Sequence, residues 1–498
     1  MGIRKGCVRK RMTTNISNSV EQWDVFEITL NGTTNGNPFT DVAFGARFSL
    51  DQRVVEVAGF YDGDGRYSVR FMPDTPGEWR YVTTANLPEL ADVSGTFACT
   101  PASADNHGPV HVRNTFHFAY ADGTPYFPVG TTCYAWTNQT EALQQRTLQT
   151  LRATPFNKLR MCVFPKHYTF NTNEPDFYAF ERAGDGWDFS RFNPVFFRHL
   201  EQRVRDLGAL GIEADIILLH PYDRWGFAKM SAAEDARYLR YVVTRLAAFR
   251  NVWWSMANEY DIMPKPLDVW DGLFHVVQAS DPYQHLRSIH NWISLDDHRW
   301  HTFYDHSKPW VTHCSIQHAH IDLSTIWRDQ YRKPIVLDEV CYEGDLPNGW
   351  GNLSGAEMTR RFWEATVRGA YVGHGETYVN PDDVVWWAKG GELRGESPAR
   401  IAFLRAILQS APPEGINPVG EITNTHMISG GQPGSYYLTY FGHRQPGHVK
   451  FTLPDGDYRA DIIDTWGMTI ESVDGIIRHG STVQLPGRPY LAVRLQRV

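Results

Sequence analysis

Between residues 125 and 410, short apolar runs alternate with amphipathic stretches of helical period. This alternation constrains the fold more than any other feature, because it marks βα units around a parallel sheet. The runs fall at 127–134, 158–164, 213–219, 252–257, 286–290, 310–316, 335–338 and 373–378. The clearest 3.6-residue periodicity lies at 194–207 and 232–247, where helices are expected. Eight such units argue for a closed (β/α)8 TIM barrel over an open doubly wound sheet. No glycine-rich phosphate loop follows an early run, so a dinucleotide fold has little support.

A chain of 498 residues exceeds one ordinary core, so further domains must flank the barrel. Residues 16–118 read as an N-terminal β-sandwich, with alternating stretches such as 54–60 and 67–71 between turns rich in Asp, Gly and Pro. Residues 119–412 carry the barrel. After Pro412 and Pro413 the chain is β-rich again, with alternation at 435–441, 448–453 and 490–495, so 413–498 reads as a C-terminal β-sandwich. The basic start, 1–15, is expected to be poorly ordered. The fold class is therefore α/β, a TIM barrel between two sandwiches.

Net charge of -8 gives no electrostatic case for nucleic acid or an anionic membrane. No apolar run is long enough to span a bilayer. The six cysteines, Cys7, Cys99, Cys133, Cys162, Cys314 and Cys341, show no CxxC spacing. Zinc is thus not expected. Cys133, Cys162, Cys314 and Cys341 go with the barrel strands and read as small buried hydrophobes, which favours a reducing compartment. With no apolar stretch after the basic start, a cytoplasmic location is the expectation.

Two of the apolar runs end in a glutamate. The run 252–257 leads into Asn258 and Glu259, and the run 335–338 leads into Glu339. The C-terminal end of a barrel strand is where such folds do chemistry. Two carboxylates facing each other there suit acid-base and nucleophile roles in cleaving a glycosidic bond. Adjacent strand residues face opposite sides, so one of Asp338 and Glu339 is expected to face the site, and Glu339 is favoured. Glu376, near the end of the eighth run, is the alternative nucleophile. Aromatics at 13% of the chain suit stacking on sugar rings, although large β-rich cores account for most of them.

These residues resemble the retaining glycoside hydrolases of clan A, the barrel superfamily that includes family 5 cellulases and mannanases. In that clan an Asn-Glu pair after the fourth strand supplies the acid/base, and a Glu after the seventh is the nucleophile. The segment through Trp79 resembles the DUF5060 sandwich found before such barrels. The stretch 458–469 resembles the DUF5605 domain found after them. The resemblance implies double displacement. Glu339 attacks the anomeric carbon, and Glu259 first protonates the leaving oxygen and then activates water. It requires Glu259 to hold the higher pKa of the two.

The resemblance also suggests sugar contacts. Arg160, a charge inside a strand that needs a partner, is expected to orient Glu339. His220, His290 and His318, at or just after the ends of the third, fifth and sixth runs, are candidates for sugar hydroxyls or the nucleophile. One of Trp386 and Trp387 is expected to floor the subsite, with the other in the core. Trp136, His167 and Asn258 complete the candidate set. No cofactor or metal is implied.

A metal-dependent barrel hydrolase is the first rival reading, prompted by His318 and His320. Against it, 129–134 lacks the His-x-His of such enzymes. A non-catalytic carbohydrate-binding protein is the second, opposed by the presence of both acids. An exo-acting enzyme on a small glycoside or oligosaccharide is expected, with transglycosylation as a side activity through the same intermediate. The N-terminal sandwich is expected to buttress the barrel or a subunit contact, which leaves room for a homo-oligomer.

Overall fold

The structure is a computed structural model that describes residues 18–292, 303–380, 382 and 384–498. The start expected to be poorly ordered, 1–15, and Cys7 lie outside the described residues. The central sheet has eight parallel strands. They are β1 (Gly130–Thr132), β2 (Lys158–Cys162), β3 (Glu213–Leu219), β4 (Val252–Ala257), β5 (Arg287–Ser288), β6 (Cys314–Gln317), β7 (Ile335–Glu339) and β8 (Tyr371–His374). Their order is β5-β4-β3-β2-β1-β8-β7-β6. A parallel bridge between His290 and Ser315 joins the two edges and closes the barrel.

Each of the expected runs overlaps one of these strands. β3 and β4 are buried at every position, as apolar runs covered on both faces must be. The largest shift is at 373–378. The barrel strand ends at His374, and Glu376–Thr377 leaves it to pair with Glu343–Gly344. Gly375 lies where the Tyr342 ring crosses; a Cβ there would sit 2.1 Å from that ring.

Helices α1 (Glu141–Arg152), α2 (Pro194–Ala209), α3 (Ala232–Leu246), α4 (Leu267–Ser280), α5 (Ser324–Tyr331), α6 (Gly355–Val367) and α7 (Ser397–Gln409) surround the strands. Two show clear start signals. Asn193 caps α2 ahead of Pro194. Ser231 and Glu234 form a capping box on α3, which buries Tyr238, Leu239, Val242 and Leu246 against the barrel. No helix among the described residues is long and apolar enough to cross a membrane.

A three-stranded hairpin, Val110–Arg113, His117–Tyr120 and Pro125–Tyr126, covers the barrel floor. Its Phe118 and Tyr126 pack with Trp253, Leu286 and Val336. Ligand access is thereby left to the opposite end, where the strands terminate. The N-terminal sandwich faces a five-stranded sheet against a three-stranded one. Trp79 is a core residue there, with its indole N–H donated to the Thr75 carbonyl at 2.9 Å. The C-terminal region forms a six-stranded antiparallel sheet with a two-stranded companion, and Tyr440 packs 5.6 Å from Trp363 of α6.

The N-terminal sandwich meets the barrel through buried charge. Glu201 of α2 pairs with Arg70 of the sandwich at 2.8 Å and with Arg245 of α3 at 2.5 Å. Arg245 also pairs with Asp62 at 2.9 Å. Burial opposes the Glu201 charge, yet the two guanidinium groups hold its carboxyl down at about 2. Losing this central carboxylate leaves Arg70 and Arg245 each one buried partner short, a loss of about 3 kcal/mol. Glu201→Gln is therefore expected to lower stability by about that amount in urea unfolding at neutral pH. The sign with pH follows from the depressed value. The contribution is complete above 4.5 and is lost as pH falls towards about 2, so wild type and variant should converge in acid.

Candidate active site

Asn258 and Glu259 follow directly on β4. The Asn258 N–H donates to the Leu219 carbonyl and the Tyr260 N–H to that of His290, so neighbouring strand ends fix the backbone on both sides of Glu259. Glu259 itself is left-handed, at φ 52°. A non-glycine residue held there stores local strain of the kind found at functional sites. Its side chain is turned into a cleft of about 800 Å³ that Glu339 also lines.

Glu339 reaches the cleft by an irregularity. Ser315 pairs with Val336, but Gln317 pairs with Glu339, so β7 carries one residue more than β6 over this stretch. Such a bulge re-aims the side chain that follows it. Of the adjacent pair Asp338 and Glu339, only Glu339 faces the cleft. Both lie inside the barrel: Asp338 contacts Lys158 in the interior, at 2.8 Å, and Glu339 lines the cleft.

The surroundings of Glu339 are rich in donors. The Tyr134 hydroxyl donates to its Oε1. Arg160 Nη1 lies 3.6 Å and His290 Nε2 3.3 Å from the same oxygen. Arg160 also donates to Asn258 Oδ1 at 2.8 Å, which orients the amide so that its NH2 is left without a partner among the described residues. Burial pushes Glu339 up to about 7, with the Tyr342 hydroxyl opposing. Burial also raises Glu259, with the Lys166 ammonium and the Tyr222 hydroxyl opposing. Tyr222 donates its hydroxyl to Glu259 Oε2.

The other expected contacts divide. Trp387 lines the cleft. Trp386 lies in the core with its N–H on Thr131 Oγ1 at 2.9 Å. His290 touches Glu339. His220 is held by its Nε2 on the Phe164 carbonyl at 3.2 Å, and burial pushes it down to about 3. His318 accepts the His320 N–H on Nδ1 at 3.0 Å, beside the lining residues Gln317 and Ala319. Three expectations need correction. Trp136 points into the packed core, its N–H against Met161 Sδ at 3.2 Å. His167 packs against Trp225 outside the cleft wall. Glu376 sits on the strand that leaves the barrel, and its carboxylate is taken up by the Arg394 and Gly395 N–H groups at 2.5 and 2.7 Å.

Several residues of the site carry no sequence signal of their own. Tyr168, Phe170, Trp292, Tyr342 and Trp350 line the cleft from loops. Lys166, fully buried, lies with its ammonium 3.4 Å from the centre of the Tyr134 ring and 4.3 Å from that of Tyr222. Burial lowers it to about 8. Among the described residues, no three His, Cys, Asp or Glu side chains converge as metal ligands would.

A family profile described as the apiosidase-like catalytic domain matches residues 113–407. The chain belongs to the apiosidase-like family. Domains of unknown function match on either side of this apiosidase-like barrel, DUF5060 over 19–86 and DUF5605 over 425–496. A solved structure from Bacteroides vulgatus, provisionally described as a glycoside hydrolase, is 40% identical over 97% of this chain and 100% of its own, with a TM-score of 0.91. A family 5 glycoside hydrolase from Bacteroides vulgatus shares the fold at 14% identity, covering 78% of this chain and 94% of its own, with a TM-score of 0.62. No match is found among curated protein sequences. The chain is accordingly a glycosidase, and a carbohydrate is its substrate.

The Tyr134 contact generates a test. A hydrogen bond to a charged group contributes about 1.5–3 kcal/mol. Tyr134→Phe should therefore reduce kcat by about ten- to a hundredfold and change KM little. Steady-state kinetics on any substrate the wild type cleaves will check this.

Proposed function

We propose that this apiosidase-like enzyme hydrolyses a glycosidic bond by double displacement, with Glu339 as nucleophile and Glu259 as acid/base. The observation that carries this reading is that both carboxyls, delivered by β4 and β7, line one cleft. In the first step a Glu339 oxygen bonds to the anomeric carbon as the glycosidic bond breaks, and Glu259 gives its proton to the leaving oxygen. In the second, water adds to that carbon, Glu259 takes its proton, and the ester to Glu339 opens with net retention. Arg160 and the Tyr134 hydroxyl favour the ionised form of Glu339 that attack requires. The free amide N–H of Asn258 suits a hydroxyl of the bound sugar, and Trp387 offers a flat face beneath it.

The substrate class that fits best is a terminal apioside or a comparable small furanoside, removed from the end of its acceptor. The family description supports the glycone. A cleft of about 800 Å³ is of the size that encloses a small ligand, which favours end-on removal over cutting within a long polymer. Transfer to a sugar acceptor in place of water uses the same intermediate.

A panel of aryl glycosides that includes apiofuranosides, assayed with wild type, Glu259→Gln and Glu339→Gln, tests both parts. The expected result is hydrolysis of the furanoside, lost by about three orders of magnitude or more in each variant. Added azide should rescue Glu339→Ala as the glycosyl azide of inverted configuration, and Glu259→Ala as that of retained configuration; the reverse pattern rejects the assignment of roles. Because burial raises both carboxyls, kcat/KM should be bell-shaped with both limbs above pH 4.5. Activity falls below the lower limb as Glu339 is protonated and above the upper limb as Glu259 loses its proton.

A further inference from the structure

At the mouth of the barrel one buried cation faces rings instead of a carboxylate. The Lys166 ammonium lies 3.4 Å from the centre of the Tyr134 ring, 4.3 Å from that of Tyr222, 4.8 Å from that of Tyr168 and 5.3 Å from that of Trp387. Lys166 is 2% exposed, and a charge taken that far out of water calls for an opposite one. Few neighbours can supply it. Burial pushes the Cys162 thiol up to about 12 and raises the Tyr168 and Tyr222 hydroxyls as well, so all three stay neutral. Burial also keeps His220 neutral, and Arg160 repels the ammonium. Among the described residues around it, Glu259 is the one left that can turn negative near neutral pH.

The dependence is mutual. Glu259 is 6% exposed, and Arg160, the other cation near it, is engaged with Glu339 and Asn258. Burial and the Asp261 charge push Glu259 up, while the Lys166 ammonium, the Tyr222 hydroxyl and, least, Arg160 oppose them. The two stronger opponents stand on one path. Tyr222 donates its hydroxyl to Glu259 Oε2, and its ring meets the ammonium. A cation over a phenol ring draws electron density from the oxygen and makes the O–H a stronger donor. With Oε2 taken, the transferable proton of Glu259 rests on Oε1.

We propose that Lys166 is a positioning residue for the acid/base, a caged counter-charge that acts through Tyr222 to stabilise the Glu259 carboxylate formed each time the proton is given up. This rests on the assignment of Glu259 as acid/base. In the first step the O–H bond at Glu259 Oε1 breaks, the leaving oxygen takes the proton, and a carboxylate appears where burial opposes charge. The ammonium and the Tyr222 hydroxyl are already in place to stabilise it, so nothing needs to move. In the second step a proton from water restores the acid. The ammonium meets the ring of Tyr222 and not the carboxyl itself. A direct pair would hold Glu259 ionised and leave it no proton to give. Burial brings Lys166 down to about 8, so the ammonium keeps its charge at neutral pH.

The test is the pH dependence of kcat/KM for wild type, Lys166→Met, Lys166→Arg and Tyr222→Phe, on the nitrophenyl and phenyl glycosides of the sugar that wild type cleaves. In Lys166→Met the carboxylate loses its counter-charge, so Glu259 keeps its proton to higher pH. The basic limb should move up by about one pH unit, while the acid limb, which belongs to Glu339, stays. A weaker acid protonates a poor leaving oxygen less well, so the phenyl glycoside should lose about tenfold more rate than the nitrophenyl one. Tyr222→Phe cuts the path but leaves the cation, and should move the basic limb the same way. Lys166→Arg keeps the charge and should hold that limb near its wild-type place. A basic limb unmoved in Lys166→Met and Tyr222→Phe, or moved as far in Lys166→Arg as in Lys166→Met, overturns the proposal, as does a shift of both limbs together. Thermal melting shows which variants are folded, and if Lys166→Met is not, Tyr222→Phe decides alone. A Glu259→Gln enzyme with wild-type rates on the phenyl glycoside instead rejects the acid/base, a result distinct from these outcomes.

Discussion

The barrel interior depends on one buried cation. Lys158 Nζ, on β2, lies 2.6 Å from Asp215 on β3 and 2.8 Å from Asp338 on β7. Burial alone would strip Lys158 of its proton, and the two carboxyls prevent it. Removing Lys158 would leave two buried carboxylates without their shared cation, which is strongly destabilising. The pairing therefore ties strands on opposite walls, and it fixes Asp338 as an ionised acceptor. Everything above it in the barrel is arranged with respect to that fixed charge.

Arg160 forms the next layer. It shares β2 with Lys158 and points the same way, two residues on. Its guanidinium joins Asn258 to Glu339, so the two strands that bear the acids are linked by a single side chain. His290 and Ser315 form the other link. They are the residues whose bridge closes the barrel between β5 and β6, and their side chains connect Asp338 to Glu339. Closure of the fold and support of Glu339 are thus made by the same two residues. The hairpin beneath and the sandwich beside the barrel keep the opposite end shut and braced, which leaves the chemistry at the open mouth.

Much of this was legible in the sequence because burial on both faces writes itself as continuous apolar runs. The strand positions, the helices capped by Asn193 and Ser231, and the two glutamates at strand ends all follow from local pattern. The inward charge of Arg160 was visible too, since a charge within an apolar strand requires a partner. Other residues misled for identifiable reasons. Trp136 and His167 follow strand ends, as ligand contacts do, but their side chains turn into packing. Glu376 belongs to an apolar run that in three dimensions leaves the barrel after His374, and backbone N–H groups occupy its carboxylate.

The sequence by itself determined the barrel, its flanking sheets and which strands carry acids, because periodicity and burial are local properties of the chain. Only the tertiary structure decided which side chains share the cleft. Lys166, Tyr222 and Trp350 come together through loops whose paths no period encodes. The inward turn of both Asp338 and Glu339 depends on a one-residue bulge against β6, a matter of register between strands distant in sequence. The contacts that run from Asp338 through Ser315 to His290 likewise exist only once those strands are neighbours.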